Sequence, residues 1–308
     1  CCQSCRTERQ LRLLRVRGPL ERSGNIMRVD FMVIGAQKAG TTSLAAQLAA
    51  HPQICFCKEK EPGFFHETED WVGKLDEYHS LYHPMPGQLC GEASTYYTFY
   101  PEFRETHKRL YDYNPALKLI YVMRQPVERV ISHYTHNRVR EIDTRPPEEA
   151  VFSEGAYVNR SRYGVQLRPY LELFGPENVM LLVFEEYTAD QIATLYRIAD
   201  FLGIDSAPFA ETDTTPLHQS VGQPYLRSET ARAFTQTGFF QKVRGVVPAS
   251  IRQPIRHRLL SNKIEEKPHF SPDVKQALWR LLEDDVHTVE QLLGRSLNIW
   301  RRGYTDET

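Results

Sequence analysis

Short runs of apolar residues recur along the chain, and each ends where glycine or polar residues begin. The clearest runs are FMVIG (31–35), LKLIYVM (117–123) and NVMLLVFEEY (178–187). Continuous apolar runs of this length predict strands that are buried on both faces of a parallel sheet. Two shorter runs, ICF (54–56) and QLCGEAS (88–94), predict further short strands.

Segments with helical spacing of apolar residues alternate with these strands. The predicted helices span 41–51, 126–140, 162–175, 190–204 and 271–294. Pro126 and Pro272 lie at helix first turns, and Gly203 and Gly294 close two of the helices, as these residue types commonly do. The alternation of strands and helices predicts an α/β fold with three layers, in which helices flank a parallel sheet.

Two stretches do not follow this alternation. Residues 1–28 contain seven Arg and two Glu and therefore carry a charge of +5. They lack the apolar stretch of a signal peptide, so we interpret them as a leader or a non-native extension that is disordered. Residues 29–304 are predicted to form a single domain. Within it, about 205–270 is interrupted by six prolines, which predicts an irregular surface region.

Composition adds limits on partners and location. The chain has 308 residues, of which 41% are hydrophobic and 25% charged, and its formal net charge is −1. This charge favours no nucleic-acid partner, and no run of about eighteen apolar residues predicts a membrane span. Cys55 and Cys57 are separated by one residue, which is not a usual zinc spacing. The six cysteines therefore predict free thiols in a reducing, cytoplasmic compartment, and we expect a bacterial source.

The first candidate site is the turn GAQKAGTTS (35–43), between a predicted strand and a predicted helix. Such a turn directs backbone N–H groups and the positive end of the helix dipole at an anion. Gly35 and Gly40 allow a tight turn, and Lys38 adds a positive charge. Hydroxyl donors follow at Thr41, Thr42 and Ser43. The turn therefore predicts a phosphate-binding site.

A nucleotide-triphosphatase loop is the alternative interpretation of this turn. That loop requires four residues between two glycines, followed directly by Lys and then Ser or Thr. Gly35 and Gly40 have this spacing, but Thr41 stands where the lysine is required and Lys38 precedes Gly40. No predicted strand clearly ends in an acidic residue suited to hold Mg²⁺. A P-loop nucleotide or small-molecule kinase stays open as the second hypothesis.

The segment KAGTTS after an apolar strand resembles the phosphosulfate loop of sulfotransferases that use 3′-phosphoadenylyl sulfate (PAPS). It is most similar to the Golgi heparan sulfate type and its bacterial relatives. KEKEPGFFH (58–66) and LLGRSLNIW (292–300) are similar to two other segments of that family. The resemblance implies a P-loop-like sulfotransferase fold, PAPS as donor, adenosine 3′,5′-bisphosphate (PAP) as product, and no metal. It also implies that the donor's 5′ side is bound by Lys38, Ala39, Gly40, Thr41, Thr42 and Ser43.

The 3′-phosphate of that donor requires a second anion site. The family places an arginine at the end of a strand and a serine eight residues later, and Arg124 and Ser132 have this spacing. An arginine binds phosphate oxygens in pairs, and a serine adds a hydroxyl donor. The resemblance places Tyr163 near the nucleotide, although core packing explains this residue equally well. Arg227 is the expected substitute for the family's basic loop over the nucleotide.

The acceptor must lose a proton as it attacks, and a carboxylate or histidine does this best. By resemblance the base is Glu61, while Lys38 neutralises charge on the leaving phosphate. The alternative is that Glu61 is only a solvated charge in a charged run. The acceptor is expected to contact Lys60, Phe64, Ser94 and Tyr96. Ala93 stands where the heparan-type enzymes have an acceptor-facing lysine, which argues against a heparan-like acceptor.

Together these residues predict transfer of a sulfuryl group to a hydroxyl or amine. The acceptor is expected to be a small molecule or a carbohydrate, and attack on the sulfur is expected to be in line with the leaving phosphate. The irregular region at about 205–270 is predicted to cover the acceptor and the nucleotide.

Overall fold

The computed structural model describes residues 27–153, 155–215 and 268–304. The strands within these ranges are β1 (Phe31–Gly35), β2 (Ile54–Phe56), β3 (Leu89–Ala93), β4 (Lys118–Met123) and β5 (Val179–Val183). They form a sheet in the order β2-β3-β1-β4-β5, in which all neighbouring strands are parallel. This sheet is flanked by helices, so the predicted α/β fold is confirmed.

The five helices predicted from the sequence are all present, and their ends lie within two residues of the predicted positions. In chain order the helices are α1 (Thr41–Ala49), α2 (Phe64–Glu67), α3 (Leu75–His79), α4 (Thr106–Tyr113), α5 (Pro126–Val139), α6 (Pro147–Ser153), α7 (Gly155–Asn159), α8 (Tyr163–Phe174), α9 (Phe184–Ala189), α10 (Gln191–Leu202), α11 (Pro272–Leu293) and α12 (Asn298–Arg301). Pro169 lies inside α8 without ending it.

One strand prediction was too long. The run 178–187 was expected to be a strand throughout, but β5 ends at Val183 and the chain continues directly as α9. The last residue of β5 pairs with Met123, where β4 also ends, so no further strand partner is available. Glu185 and Glu186 lie in the first turn of α9, where acidic side chains interact favourably with the helix dipole.

The order of the strands places a crevice at the carboxyl edge of the sheet. Strand β1 lies between β3 and β4. After β1 the chain forms β2 and β3 on one side of it and then β4 and β5 on the other side. Ligands bind at such switch points in open parallel sheets, beyond the strand ends. The loop after β1 leads into α1, and the loop after β4 leads into α5. Both helix N-termini therefore lie at this edge.

Several expectations concern residues or properties outside this frame. Arg227, residues 1–26 of the predicted extension 1–28 and most of the predicted irregular region lie outside the described residues. Cys55, Cys57 and Cys90 are free thiols. In the described ranges, none of the helices has both the length and the apolar character needed to cross a membrane.

Candidate active site

A cavity of about 870 Å³ lies at the carboxyl edge of the sheet, where the loops that follow β1 and β4 meet. This volume is within the range of small-molecule and cofactor sites. The cavity brings together most of the residues predicted from the sequence, although they come from four separate segments. Those that line it are Lys38, Gly40, Thr41, Thr42, Ser43, Lys60, Glu61, Tyr96, Arg124 and Ser132.

The loop between β1 and α1 has a tight conformation, which its own backbone angles and the side chain of a buried arginine maintain. Lys38 and Gly40 have left-handed backbones, with φ of 72° and 82°. Arg129 is fully buried, and its Nε donates to the Gln37 carbonyl at 3.0 Å. Arg129 therefore supports the loop, while no side chain of the described residues caps the N-terminus of α1.

Gly40 is required by contact as well as by backbone conformation. A Cβ added there would lie 2.7 Å from a ring carbon of Phe184. We expect Gly40→Ala to destabilise the fold by about 2–5 kcal/mol, because left-handed strain and overpacking add. Gly203→Ala is the matched control, since Gly203 has φ of 74° but an added Cβ would meet no atom within 4 Å. Urea unfolding of both variants measures the difference, and equal losses would contradict the contact with Phe184.

Arg124 and Ser132 form a second polar group that lines the same cavity as the loop. The Arg124 guanidinium lies 5.2 Å from the ring centre of Phe184, and its Nη1 lies 3.5 Å from the Lys38 carbonyl oxygen. Glu128 is 3.7 Å from Nη2, a loose ion pair. Ser132 lies one turn beyond Glu128 on α5 and lines the same cavity. An anion with two separated phosphates can therefore contact both groups.

Buried side chains fix the backbone that carries Arg124. The Tyr163 hydroxyl donates to the Arg124 carbonyl at 2.7 Å, and the Glu185 carboxylate accepts the Gln125 N–H at 2.8 Å. Glu185 also accepts the indole N–H of Trp300 at 2.8 Å. Tyr163 is buried and does not line the cavity, so the structure favours its core interpretation. The C-terminal segment with Trp300 thus supports the second polar group.

The cavity is electropositive around Lys38. The pKa of Lys38 is lowered to about 8, chiefly by burial and in addition by the neighbouring charges of Arg140, Arg124, Arg129 and Lys60. Neighbouring cations repel one another, which disfavours their charged states. A polyanion bound among them relieves this repulsion and so stabilises the charged forms. These residues therefore fit a ligand that carries several negative charges.

Glu61 lines the same cavity as Lys38. Its backbone is left-handed, with φ of 62°, and its N–H donates to the Ala93 carbonyl at 3.0 Å. One carboxylate oxygen lies 3.0 Å from the Lys60 ammonium, and the other accepts from the Thr95 hydroxyl at 3.0 Å. The carboxylate is thus oriented by two neighbours, which favours a role in the site over a freely solvated charge.

Three predicted residues besides Tyr163 do not line the cavity. Ala39 is buried, and its N–H donates to the Ala36 carbonyl at 3.1 Å, within the loop itself. Phe64 stacks on Tyr78 with ring centres 4.5 Å apart. Ser94 is fully buried, and its hydroxyl lies 3.4 Å from the Gly63 N–H that donates to it. Phe64 is three residues after Glu61 and Ser94 contacts Gly63, so both lie next to the segment that carries Glu61.

Tyr96 does line the cavity, and the residue is 36% exposed. Its ring stacks on that of His66 with ring centres 5.0 Å apart. An exposed aromatic ring held flat against a second ring offers a surface on which a sugar or an aromatic group can pack.

Some cavity residues were missed by sequence reasoning. Their side chains come from α5, α9 and the turn after β3: Thr95, Glu128, Thr135, His136, Arg140 and Phe184. The α5 members could have been found from Ser132, because residues three, four and eight positions away lie on the same helix face. Thr95 and Phe184 follow only from long-range packing, which no local pattern predicts.

The comparisons with known proteins agree with this geometry. Residues 28–290 match the family described as the sulfotransferase domain, so the chain belongs to that family. A sulfotransferase from Alicyclobacillus acidocaldarius has a crystal structure that superposes with a TM-score of 0.64 at 26% identity, covering 90% of this chain and 100% of that one. The resemblance inferred from the sequence is thereby confirmed.

Other relatives are more distant or only partly covered. Heparan sulfate glucosamine 3-O-sulfotransferase 3B1 from Mus musculus is 29% identical over 183 residues, which are 56% of this chain and 45% of the relative. Membrane-associated sulfotransferase kil1 from Dictyostelium discoideum is 37% identical over 110 residues, 34% of this chain and 22% of the relative. This chain therefore matches less than half of the length of either relative. Mouse SULT7A1, solved with PAP, shares the fold at 17% identity with a TM-score of 0.50, and 88% of each chain is covered.

Proposed function

We propose that this protein transfers a sulfuryl group from PAPS to a hydroxyl or amine of a small-molecule or carbohydrate acceptor. The observation that carries the proposal is the convergence of three groups on one cavity. These are the loop around Lys38, the Arg124 and Ser132 pair, and the oriented carboxylate of Glu61. Two separated anion-binding groups suit a nucleotide with phosphate at both its 3′ and 5′ positions, and the carboxylate suits proton removal from an acceptor.

The residues of the loop bind and orient the 5′ side of the donor in this proposal. Lys38 and the hydroxyl groups of Thr41, Thr42 and Ser43 donate to its anionic oxygens, and the N-terminus of α1 adds its dipole. Arg124 and Ser132 bind the 3′-phosphate. The bound donor supplies an activated sulfuryl group with a phosphate as its leaving group.

Glu61 accepts the acceptor's proton as the new bond between the acceptor atom and sulfur forms. Lys38 donates a hydrogen bond to the phosphate oxygen that departs as the sulfur–oxygen bond breaks. The transition state of such a transfer is loose, so positioning and charge stabilisation dominate over covalent help. Thr95 and Lys60 hold the Glu61 carboxylate in place, at 3.0 Å each.

The kinase hypothesis is not favoured. Thr41 occupies the position at which a triphosphate-binding loop requires lysine, and the chain belongs to the sulfotransferase domain family. The acceptor proposal uses the part of the cavity wall that Tyr96 and Lys60 form. The cytoplasmic location and the lack of a nucleic-acid or membrane partner stay predictions.

A thermal-shift panel followed by a transfer assay tests the proposed function. We expect the full chain to be stabilised by PAP in the presence of a metal chelator, by about 3 kcal/mol at a ligand concentration one hundred times Kd. ATP with Mg²⁺ is expected to give no comparable shift. Transfer of labelled sulfate from PAPS to a panel of phenols, alcohols, amines and glycans then measures activity. Stabilisation by ATP with Mg²⁺ but not by PAP would contradict the proposal.

A further inference from the structure

A histidine outside the predicted site contacts the central lysine. His136 lies on α5, one turn beyond Ser132, and lines the same cavity. Its Nδ1 lies 3.2 Å from the ammonium nitrogen of Lys38, although the two residues are 98 positions apart. This contact links the loop after β1 to the helix after β4, and no local sequence pattern predicts that these two side chains meet.

The charge state of His136 determines what this contact does. The pKa of His136 is lowered to about 3, chiefly by burial and in addition by the charges of Lys38 and Arg140. The imidazole is therefore neutral near pH 7. A lysine ammonium has only donors, so Nδ1 must accept and the ring proton must lie on Nε2.

A neutral acceptor differs from a carboxylate in one important way. A carboxylate at this position would orient the ammonium but would also compensate its charge, which would weaken attraction for an incoming anion. An imidazole that accepts one hydrogen bond orients the ammonium and leaves its charge and two further N–H donors for a ligand. The pairing thus combines a fixed direction with an uncompensated positive charge.

We propose that His136 is a positioning residue for sulfuryl transfer, which holds the Lys38 ammonium inside the cavity without neutralising it. This inference rests on the proposed function, because Lys38 is there the group that meets the leaving phosphate oxygen. The proposal predicts that the rate of sulfuryl transfer depends on the hydrogen-bond acceptor at Nδ1 and not on the volume of the ring alone.

Three substitutions separate these properties. His136→Leu keeps much of the side-chain volume but removes the hydrogen-bond acceptor. His136→Asn keeps an oxygen that can accept a hydrogen bond near the Nδ1 position. His136→Asp introduces a competing negative charge. With the acceptor found in the transfer panel, we expect His136→Leu to lower kcat about 10- to 100-fold with KM for PAPS changed less than about threefold. His136→Asn is expected to recover most of kcat, and His136→Asp to weaken PAP binding about tenfold or more.

A second measurement detects the contact between His136 and Lys38 without requiring sulfate transfer. The pH dependence of competitive labelling of Lys38, followed by peptide mass spectrometry, gives its pKa in each variant. We expect His136→Leu to lower this pKa further, because an acceptor that favours the ammonium is lost, and His136→Asp to raise it. His287→Leu, at an exposed position on α11, is the control and is expected to change neither measurement.

The outcomes distinguish the two proposals. If the wild-type protein binds no PAP and transfers no sulfate, the proposed function fails. If it does both and His136→Leu keeps its kcat and the pKa of Lys38, the positioning role is wrong. The positioning role is also wrong if His136→Asn loses as much activity as His136→Leu while unfolding at the same temperature as the wild type.

Discussion

Lys38→Met should lower transfer of sulfate from PAPS at least about hundredfold, because one charged donor to the leaving oxygen is lost. PAP binding should weaken about 10- to 100-fold, as expected for one charge-assisted hydrogen bond. Methionine keeps a Cβ and a long side chain, so the left-handed strain already present at Lys38 does not change. Transfer of labelled sulfate and calorimetric titration with PAP measure the two effects.

Two further variants control this result. Lys58→Met removes an exposed lysine that does not line the cavity, and we expect transfer within about twofold of wild type, as for a typical surface substitution. Lys38→Arg keeps the charge but replaces a compact ammonium with a larger fork, so binding should be retained better than transfer. Near wild-type transfer by Lys38→Met would contradict the assignment of the loop.

Lys38 also predicts a pH dependence with opposite signs for binding and for folding. Its pKa is lowered from 10.5 to about 8, so the free protein loses the ammonium charge as pH rises through about 8. PAP affinity should therefore fall above about pH 8, by at most about tenfold per pH unit. This group's contribution to stability should instead rise between about pH 8 and 10.5, because the unfolded chain binds the proton more tightly. Both trends should be absent in Lys38→Met.

Local sequence patterns were sufficient for the frame of the site. The apolar run before Gly35 and the helix formers after Gly40 predicted a strand, a turn and a helix, and the structure has all three. For this turn the interacting residues are close in sequence, so periodicity and turn chemistry carry the information. Arg124 and Ser132 were found instead because their spacing resembles that of the sulfotransferase family.

The remaining part of the site depends on contacts between distant segments. The pairing of Lys38 with His136 and that of Glu61 with Thr95 join residues whose separation is set by the order of strands in the sheet. The error at Val183 has a related cause, since β5 ends where its neighbour β4 ends. Ser94 was expected in the acceptor wall, but its side chain is buried in the core. The direction of β3 does not by itself determine which side chains of the following turn face the cavity.

Glu61→Gln should lower sulfate transfer about 10²- to 10⁴-fold, which is the usual contribution of a general base. Glutamine keeps the length of the side chain and can still accept from the Thr95 hydroxyl, so the local structure should persist. PAP affinity should be unchanged or slightly higher, because one negative charge is removed from a cavity that binds anions. This split between transfer and binding separates a base from a residue that merely supports the fold.

Graded variants around Glu61 test the same role more finely. Thr95→Val removes one of the two contacts that orient the carboxylate, and a hydrogen bond worth about 0.5–1.5 kcal/mol predicts a loss of about two- to twelvefold in kcat. Glu59→Gln, in the same charged segment but exposed and outside the cavity, should leave transfer within about twofold of wild type. If Glu61→Gln and Glu59→Gln transfer sulfate equally well, Glu61 is not the base, and the proton must leave through another group that lines the cavity.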